Sequence, residues 1–390
     1  MEITGVETLG LADIEFEETG WVGEIADDYR RLLFVRVHTD EGIVGLGETY
    51  PRPAVDAAVI HEHIAPELLG RDAGAIEGIW RDVFRHANYW GGYGGAEMRA
   101  LSAIDVALWD LKGKQADLPI YELLGGKVRE SLRTYNTCYE GEYDFLDEPV
   151  ALAESLLDEG IEAMKIWPYD DIAYANDGQY VSPADLREGA RPLRQIKEEL
   201  GDAMDVAMEF HGLWNASCAK RIAHHLEQYS PMWLEELLEI GDIETYREVA
   251  RETSLPVNVS ERLMTKYDYN HLFSRVPVDV AMFDIEWLGG LTEAKKVATM
   301  AEANQVPFAP HNCGGPVLHF ANLHLGAAAP NLMIMESVRG RYNGWHRDLV
   351  ATPADAADGR LLLPKGPGLG TELSEQVLEA DGVDRRVTEA

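Results

Sequence analysis

Seven polar residues each close a short apolar run. Lys165 lies in "AMKIW", Glu209 in "VAMEFH", Glu235 in "MWLEE", Glu261 in "PVNVSE", Asp284 in "DVAMFD", His311 in "PFAPHN" and Glu336 in "LMIMES". From Glu209 onward the spacings are 26, 26, 23, 27 and 25 residues. One strand–helix unit of a βα barrel takes about that length, and the C-terminal ends of the strands meet at one mouth, where such barrels do their chemistry. Unrelated surface charges would not keep step with that repeat.

Glu209, Glu235 and Glu261 would come from adjacent strands. Three bare carboxylates repel one another, and a hard divalent cation resolves the conflict. An all-oxygen ligand set without Cys or His favours Mg²⁺. A salt-bridge network is the alternative reading, although few lysines and arginines lie near these strand ends. Asp284 and His311 close neighbouring strands, so the carboxylate can fix the imidazole tautomer and make it a general base. Cation and base together predict removal of the proton α to a carboxylate, with the cation stabilising the enediolate. In "AMEFHG" strand alternation puts Glu209 and His211 on one face, with Met208 and Phe210 on the other.

The elements that must position these residues can be read around them. "RLLFVRVHTDEGIVGLGETYP" alternates apolar and polar positions on both sides of Asp40-Glu41-Gly42, which predicts a hairpin. From about residue 54 to 123 the period becomes helical. Leu101, Ile104, Ala107, Leu108 and Leu111 share one face, and Gly125-Gly126 stops the helical region. From about 131, eight short apolar runs, "LRTYNTC" the first of them, alternate with amphipathic stretches such as "DIETYREVARET". That pattern predicts parallel strands joined by helices, closed as a barrel rather than left as an open sheet. An open doubly wound sheet lacks support, because neither GxGxxG nor GxxxxGK[ST] follows a strand. The tail "GRLLLPKGPGLGTELSEQVLEA" is expected to fold back on the N-terminal part.

The chain has 390 residues, with 68 acidic against 34 basic and a formal net charge of −34. So negative a surface repels nucleic acid and anionic lipid, which excludes both as partners. The acid is dispersed rather than gathered in a tail, which favours adaptation to concentrated salt over a merely acidic protein. There is no apolar stretch long enough to span a membrane and no secretory n-region in "MEITGVETLG". Cys138, Cys218 and Cys313 form neither a disulfide framework nor a zinc spacing, in keeping with a reducing cytoplasm.

With these motifs in view, the sequence resembles the enolase superfamily, specifically its mandelate racemase subgroup, over almost its whole length. The stretches that carry the resemblance are "GIVGLGETYP", "SAIDVALWDLKGKQADLPIYELLGGKVRESLRTY", "WLEELLE", "LPVNVSERLMT", "FDIEWLGGLTEAKK", "FAPHNCGGPV" and "PKGPGLG". The resemblance implies an α/β fold: a modified TIM barrel, (β/α)7β, with an α+β capping domain. The capping domain would comprise residues 1–128 and a return segment, 351–390, around a catalytic barrel of 129–350. It implies Mg²⁺ on Glu209, Glu235 and Glu261, Asp284 with His311 as the dyad, and Glu336 as the last-strand acid that contacts the substrate carboxylate. Lys165 matches the first lysine of the family's Lys-x-Lys pair. Trp167 stands where the second would be, and an indole cannot take a proton, so two-base racemisation loses one partner; Tyr169 and Asp170 are nearby substitutes. Glu209 replaces the usual Asp.

His211, two residues past that first ligand, matches the general acid of the subgroup's acid-sugar dehydratases. The expected reaction is therefore Mg²⁺-dependent dehydration of an aldonate: His311 takes the C2 proton and His211 protonates the departing C3 hydroxyl. An epimerase or cycloisomerase on the same scaffold, and a non-catalytic metal or metabolite binder, are the alternatives. Substrate choice is expected from capping loops at about 17–27 and at Tyr50–Pro53. Trp21, Tyr50, Trp90 and Asn312 are candidate sugar contacts. The resemblance also implies a homo-oligomer, dimer or octamer.

Overall fold

The computed structural model describes residues 1–11, 31–86 and 94–390. Trp21, Trp90 and the whole 17–27 loop lie outside them. Strands β1 (Ile3–Leu11), β2 (Leu32–Thr39) and β3 (Val44–Thr49) form an antiparallel sheet. The predicted hairpin joins β2 and β3, in register from Leu33 opposite Thr49 to His38 opposite Val44, with Gly42 at φ 75° in the turn.

This sheet rests on the helix Gly95–Ala116. A Cβ on Gly45 would lie 2.2 Å from the Ala107 carbonyl oxygen, and one on Gly47 2.0 Å from that of Ala103. The glycines of "GIVGLGE" therefore let strand and helix meet backbone to backbone. The sequence predicts one apolar face on this helix, but the folded helix is buried on nearly every side. Most of its apolar residues pack into the capping core, while Val106 packs into the barrel core. Its polar face is buried as well and acts as a fastener. Asp105 Oδ2 accepts from Thr292 N at 2.9 Å, and Asp110 accepts from Leu46 N at 2.8 Å and Leu369 N at 2.7 Å. Two acids thus satisfy backbone donors of the sheet, a barrel helix and the tail, which is the condition for burying them.

Strands β4 (Ser131–Thr137), β5 (Ala163–Ile166), β6 (Asp205–Glu209), β7 (Leu234–Glu235), β8 (Val257–Val259) and β9 (Val280–Ala281) run parallel in chain order. The run around Phe308–His311 adds single parallel bridges, Phe308 to Ala281 and Leu332, and His311 to Asp284. β10 (Met335–Ser337) pairs parallel with β4 and closes the ring. Helices fill each of the seven intervals between these eight runs, which is the (β/α)7β arrangement. In the tail, β11 (Ala356–Ala357) pairs with β12 (Arg360–Leu362), β12 runs antiparallel to β4, and β13 (Asp384–Glu389) pairs antiparallel with β1. Both chain ends thus meet in one sheet. Among the described residues no helix is long and apolar enough to cross a membrane.

Candidate active site

A separate apolar cluster fills the barrel interior: Tyr135, Ala163, Ala207, Trp233, Val280, Ala309 and Ile334. Side chains two positions apart share a strand face. The next inward layer toward the strands' C-terminal ends is therefore Thr137, Lys165, Glu209, Glu235, His311 and Glu336. Asp284 follows Val280 by four positions, on the same phase. Glu261 breaks the pattern. Asn258 takes the inward phase of β8 and donates to Glu235 Oε2 at 3.2 Å, and Glu261 lies in the turn beyond the strand's end.

Lys165 lies at the centre of the layer. Its Nζ is 2.5 Å from Glu235 Oε1, 2.9 Å from Glu336 Oε1 and 3.3 Å from Glu209 Oε2, all four groups being buried. Glu209 Oε1 accepts from the backbone N–H groups of Phe210 and His211 at 3.2 and 2.9 Å. The fixed donors and cations divide the charge unevenly. Burial alone would raise the Glu209 carboxyl, but His211 and Lys165 outweigh it and hold Glu209 far below the usual range. Glu235 is pushed far up by burial and by the Glu209 charge. Glu236, buried alongside and salt-bridged to Arg262 at 3.0 Å, is raised to about 8 by burial and by Glu261. Glu261 lies 3.5 Å from Arg262 through Oε1, while its buried Oε2 has no hydrogen-bond partner among the described residues.

Five carboxyls (Glu209, Glu235, Glu236, Glu261 and Glu336) thus face Lys165, Arg262 and the protonated His211, so the acids still outnumber the cations. This short supply of positive charge is what a divalent cation relieves, and Glu209, Glu235 and Glu261 offer the oxygens for it. The three carboxylates do not converge on a point here: Lys165 draws Glu209 and Glu235 together, and Arg262 holds Glu261 aside. Part of the salt-bridge alternative is therefore present at the mouth.

The dyad is assembled. His311 Nδ1 and Asp284 Oδ2 are 2.7 Å apart. Asp284 Oδ1 accepts from Glu286 N at 2.7 Å, and the His311 carbonyl accepts from Asn322 Nδ2 at 3.1 Å. Burial would depress His311, but Cys313, Glu336 and Asp284 outweigh it and raise its affinity for a proton well above ordinary.

His211 has a dyad of its own. Its Nδ1 is 2.6 Å from Asp170 Oδ2, and its backbone sits at φ 49°. Burial would lower it, yet Glu209 first and then Asp170 raise its affinity for a proton. It lines a cavity of about 660 Å³ with Tyr139, Phe145, Trp167, Asp170 and Arg262. Trp167, at the position of the missing lysine, packs on Tyr139 and Phe145 with centroids 4.8 and 4.7 Å away and meets the His211 ring edge-on at 6.1 Å. Tyr169 turns elsewhere: it is buried and donates to the Leu186 carbonyl at 2.8 Å.

Two expected sugar contacts have other work. Tyr50 is 1% exposed, and its hydroxyl donates to Asp284 Oδ2 at 3.0 Å, so it braces the dyad instead of facing the mouth. Asn312 is buried. Its backbone N–H holds Glu336 Oε2 at 2.7 Å, and its amide nitrogen lies 2.9 Å from the Glu336 carbonyl and 3.0 Å from His319 Nδ1. A buried carboxylate needs a donor in each case: the Tyr50 hydroxyl supplies one to Asp284, and the Asn312 backbone supplies one to Glu336.

Sequence reading assigned no role to Glu48 or Glu286. Glu48 accepts from Gly315 N at 2.6 Å and Val317 N at 3.1 Å, at the start of the helix Pro316–Ala328. Burial raises it to about 7, and burial with the Glu48 charge raises its neighbour Glu286 further. The two carboxyls link β3 of the capping sheet to the segment carrying Asp284. The available signal was a charge at a strand position whose neighbours are apolar or glycine.

Fold and site together define a capped βα barrel with an acid-lined mouth and an Asp–His base. The chain belongs to the enolase superfamily, in its mandelate racemase/muconate lactonizing enzyme branch. Residues 148–377 match the enolase C-terminal domain-like family, and residues 26–125 match the mandelate racemase / muconate lactonizing enzyme N-terminal domain. A D-galactonate dehydratase from Xanthomonas euvesicatoria is 32% identical over 90% of both chains. A D-gluconate dehydratase from Thermoproteus tenax is 33% identical, covering 89% of this chain and 69% of that protein. Among solved structures, an enolase of the mandelate racemase subgroup from Agrobacterium tumefaciens superposes with a TM-score of 0.87 at 39% identity. That match spans 100% of this chain and 99% of the other.

Proposed function

We propose that this chain is a sugar-acid dehydratase that removes water from C2 and C3 of an aldonate to give a 2-keto-3-deoxy acid. Relatives named D-galactonate and D-gluconate dehydratase make it a lyase and point to the substrate class. The observation that carries the reading is the pair of Asp–His couples, Asp284–His311 and Asp170–His211, set around one acid-rich mouth.

In this reading His311, once it has released its own proton, takes the C2 proton, oriented by Asp284, which Tyr50 braces in turn. His211, kept protonated by Glu209 and Asp170, delivers its proton to the C3 hydroxyl as the C3–O bond breaks and water leaves. The enol then tautomerises to the keto acid. Lys165 and Glu336 position the substrate carboxylate. Trp167, in place of a second base, closes the wall beside His211 and supports elimination over racemisation. Glu209, Glu235 and Glu261 would hold Mg²⁺, which when bound supplies positive charge to the substrate carboxylate. Trp21 and Trp90 keep their candidacy as sugar contacts.

A cytoplasmic setting fits three thiols that all remain unpaired. A homo-oligomer is the assembly expected, and light scattering would test it. The deciding experiment incubates the purified protein and Mg²⁺ with a panel of acid sugars, scoring 2-keto products with semicarbazide. Dehydration of an aldonate supports the reading. A silent panel sinks it, and α-deuteration in D₂O without a keto product would mark an epimerase instead.

A further inference from the structure

We propose a second, softer cation site at the barrel mouth, in which His311, Cys313 and Glu336 hold Zn²⁺ and so disable the base. It rests on the functional reading only for its inhibitory consequence.

A ring nitrogen of His311, the Cys313 sulfur and a Glu336 oxygen lie within 4.8 Å of one another, all three residues buried. His311 makes the last bridge of its run, to Asp284, Cys313 follows two residues beyond it, and Glu336 comes from β10. The Cys313 sulfur is 3.8 Å from Glu336 Oε1. In a tetrahedral zinc site with ordinary bond lengths, sulfur and oxygen ligands stand about 3.5 Å apart. One His, one Cys and one carboxylate also leave a fourth position open.

The supporting shell is in place. Zinc-bound histidines characteristically give their second nitrogen to a carboxylate. Asp284 already holds His311 Nδ1, leaving Nε2 to coordinate. The backbone of Asn312 holds Glu336 Oε2, while Oε1, which also accepts from the Thr137 hydroxyl and Lys165, faces the sulfur. The hydrogen bond that makes His311 a base therefore also makes it a zinc ligand.

The carboxylates of Glu209, Glu235 and Glu261 are hard ligands suited to Mg²⁺, whereas a thiolate selects zinc. Excess Mg²⁺ therefore does not relieve the effect. Binding releases the thiol proton and engages the imidazole lone pair that would accept the C2 proton. Lys165, 2.9 Å from Glu336 Oε1, opposes the incoming charge and keeps affinity below that of a closed four-ligand zinc site.

The test loads Co²⁺ into the Mg²⁺-saturated protein and records the thiolate-to-cobalt charge-transfer absorption, which needs no turnover. Wild type should show the band, and Cys313→Ser and Cys313→Ala should lose it. Zinc inhibition of dehydration, scored against each variant's own zinc-free rate, should weaken at least about tenfold in both variants. No band in wild type, a band that survives both substitutions, or equal zinc sensitivity in all three proteins overturns the proposal. A cobalt band without dehydration of any acid sugar overturns the dehydratase reading and leaves the cation site standing.

Discussion

The mouth carries the same chemical couple twice, in two settings. Asp284–His311 is buried. Its acid is braced by Tyr50 and the Glu286 backbone, and the His311 backbone by the strand-end bridge and Asn322. Asp170–His211 is the more open couple, with the His211 side chain 30% exposed on the cavity and its backbone in the left-handed region. A base that must take a proton from carbon gains from rigidity and exclusion of water. An acid that must follow a departing hydroxyl needs access and a standing proton, and the Glu209 anion next to His211 secures the proton. In the proposed reaction the same two residue types would take opposite roles, set by their surroundings.

Substitutions can break that contrast in order of effect. His311→Asn should abolish both C2 hydrogen exchange and dehydration, by about 10³-fold or more, read by NMR in D₂O and by keto-acid formation. His211→Asn should cost about 10²–10⁴-fold in dehydration while C2 exchange persists; equal loss of both would put His211 outside the acid role. Asp170→Asn should cost roughly one order of magnitude and leave a signature in pH. Removing that anion lowers the proton affinity of His211, so the alkaline limb of kcat, where the acid loses its proton, should move to lower pH. An unmoved limb would separate Asp170 from the acid. Tyr50→Phe deletes one hydrogen bond to Asp284 and should cost about 1 kcal/mol of transition-state stabilisation, roughly fivefold in kcat/KM. The mildest expectation concerns the whole surface. Raising KCl from low to molar concentration should raise the thermal midpoint, since a net charge of −34 repels itself. A flat response would remove the salt-adapted reading.

What was legible in the sequence followed from two periodicities. The βα repeat put Lys165, Glu209, Glu235, Asp284, His311 and Glu336 at corresponding strand ends, while the period of two pointed to His211 beside Glu209, although β6 stops at Glu209 and His211 follows in a turn at φ 49°. Glu261 fits the repeat by number yet lies in a turn after β8, because a repeat counts residues and cannot tell where a strand stops. Tyr50 and Asn312, expected at the sugar, are instead donors to buried acids, the first through its hydroxyl and the second through its backbone N–H, a need that arises only once those acids are packed.

The sequence by itself determined the barrel, its capping hairpin and the inward phase of the mouth residues, since these rest on local alternation and regular spacing. Only the tertiary structure decided that Asp170 serves His211, that Lys165 and Arg262 divide the carboxylates between them, and that Glu48 meets Glu286. Apart from the adjacent Glu261 and Arg262, those pairings join residues from 26 to more than 200 positions apart. They are fixed by which buried charge must find a partner, and no local pattern carries that information.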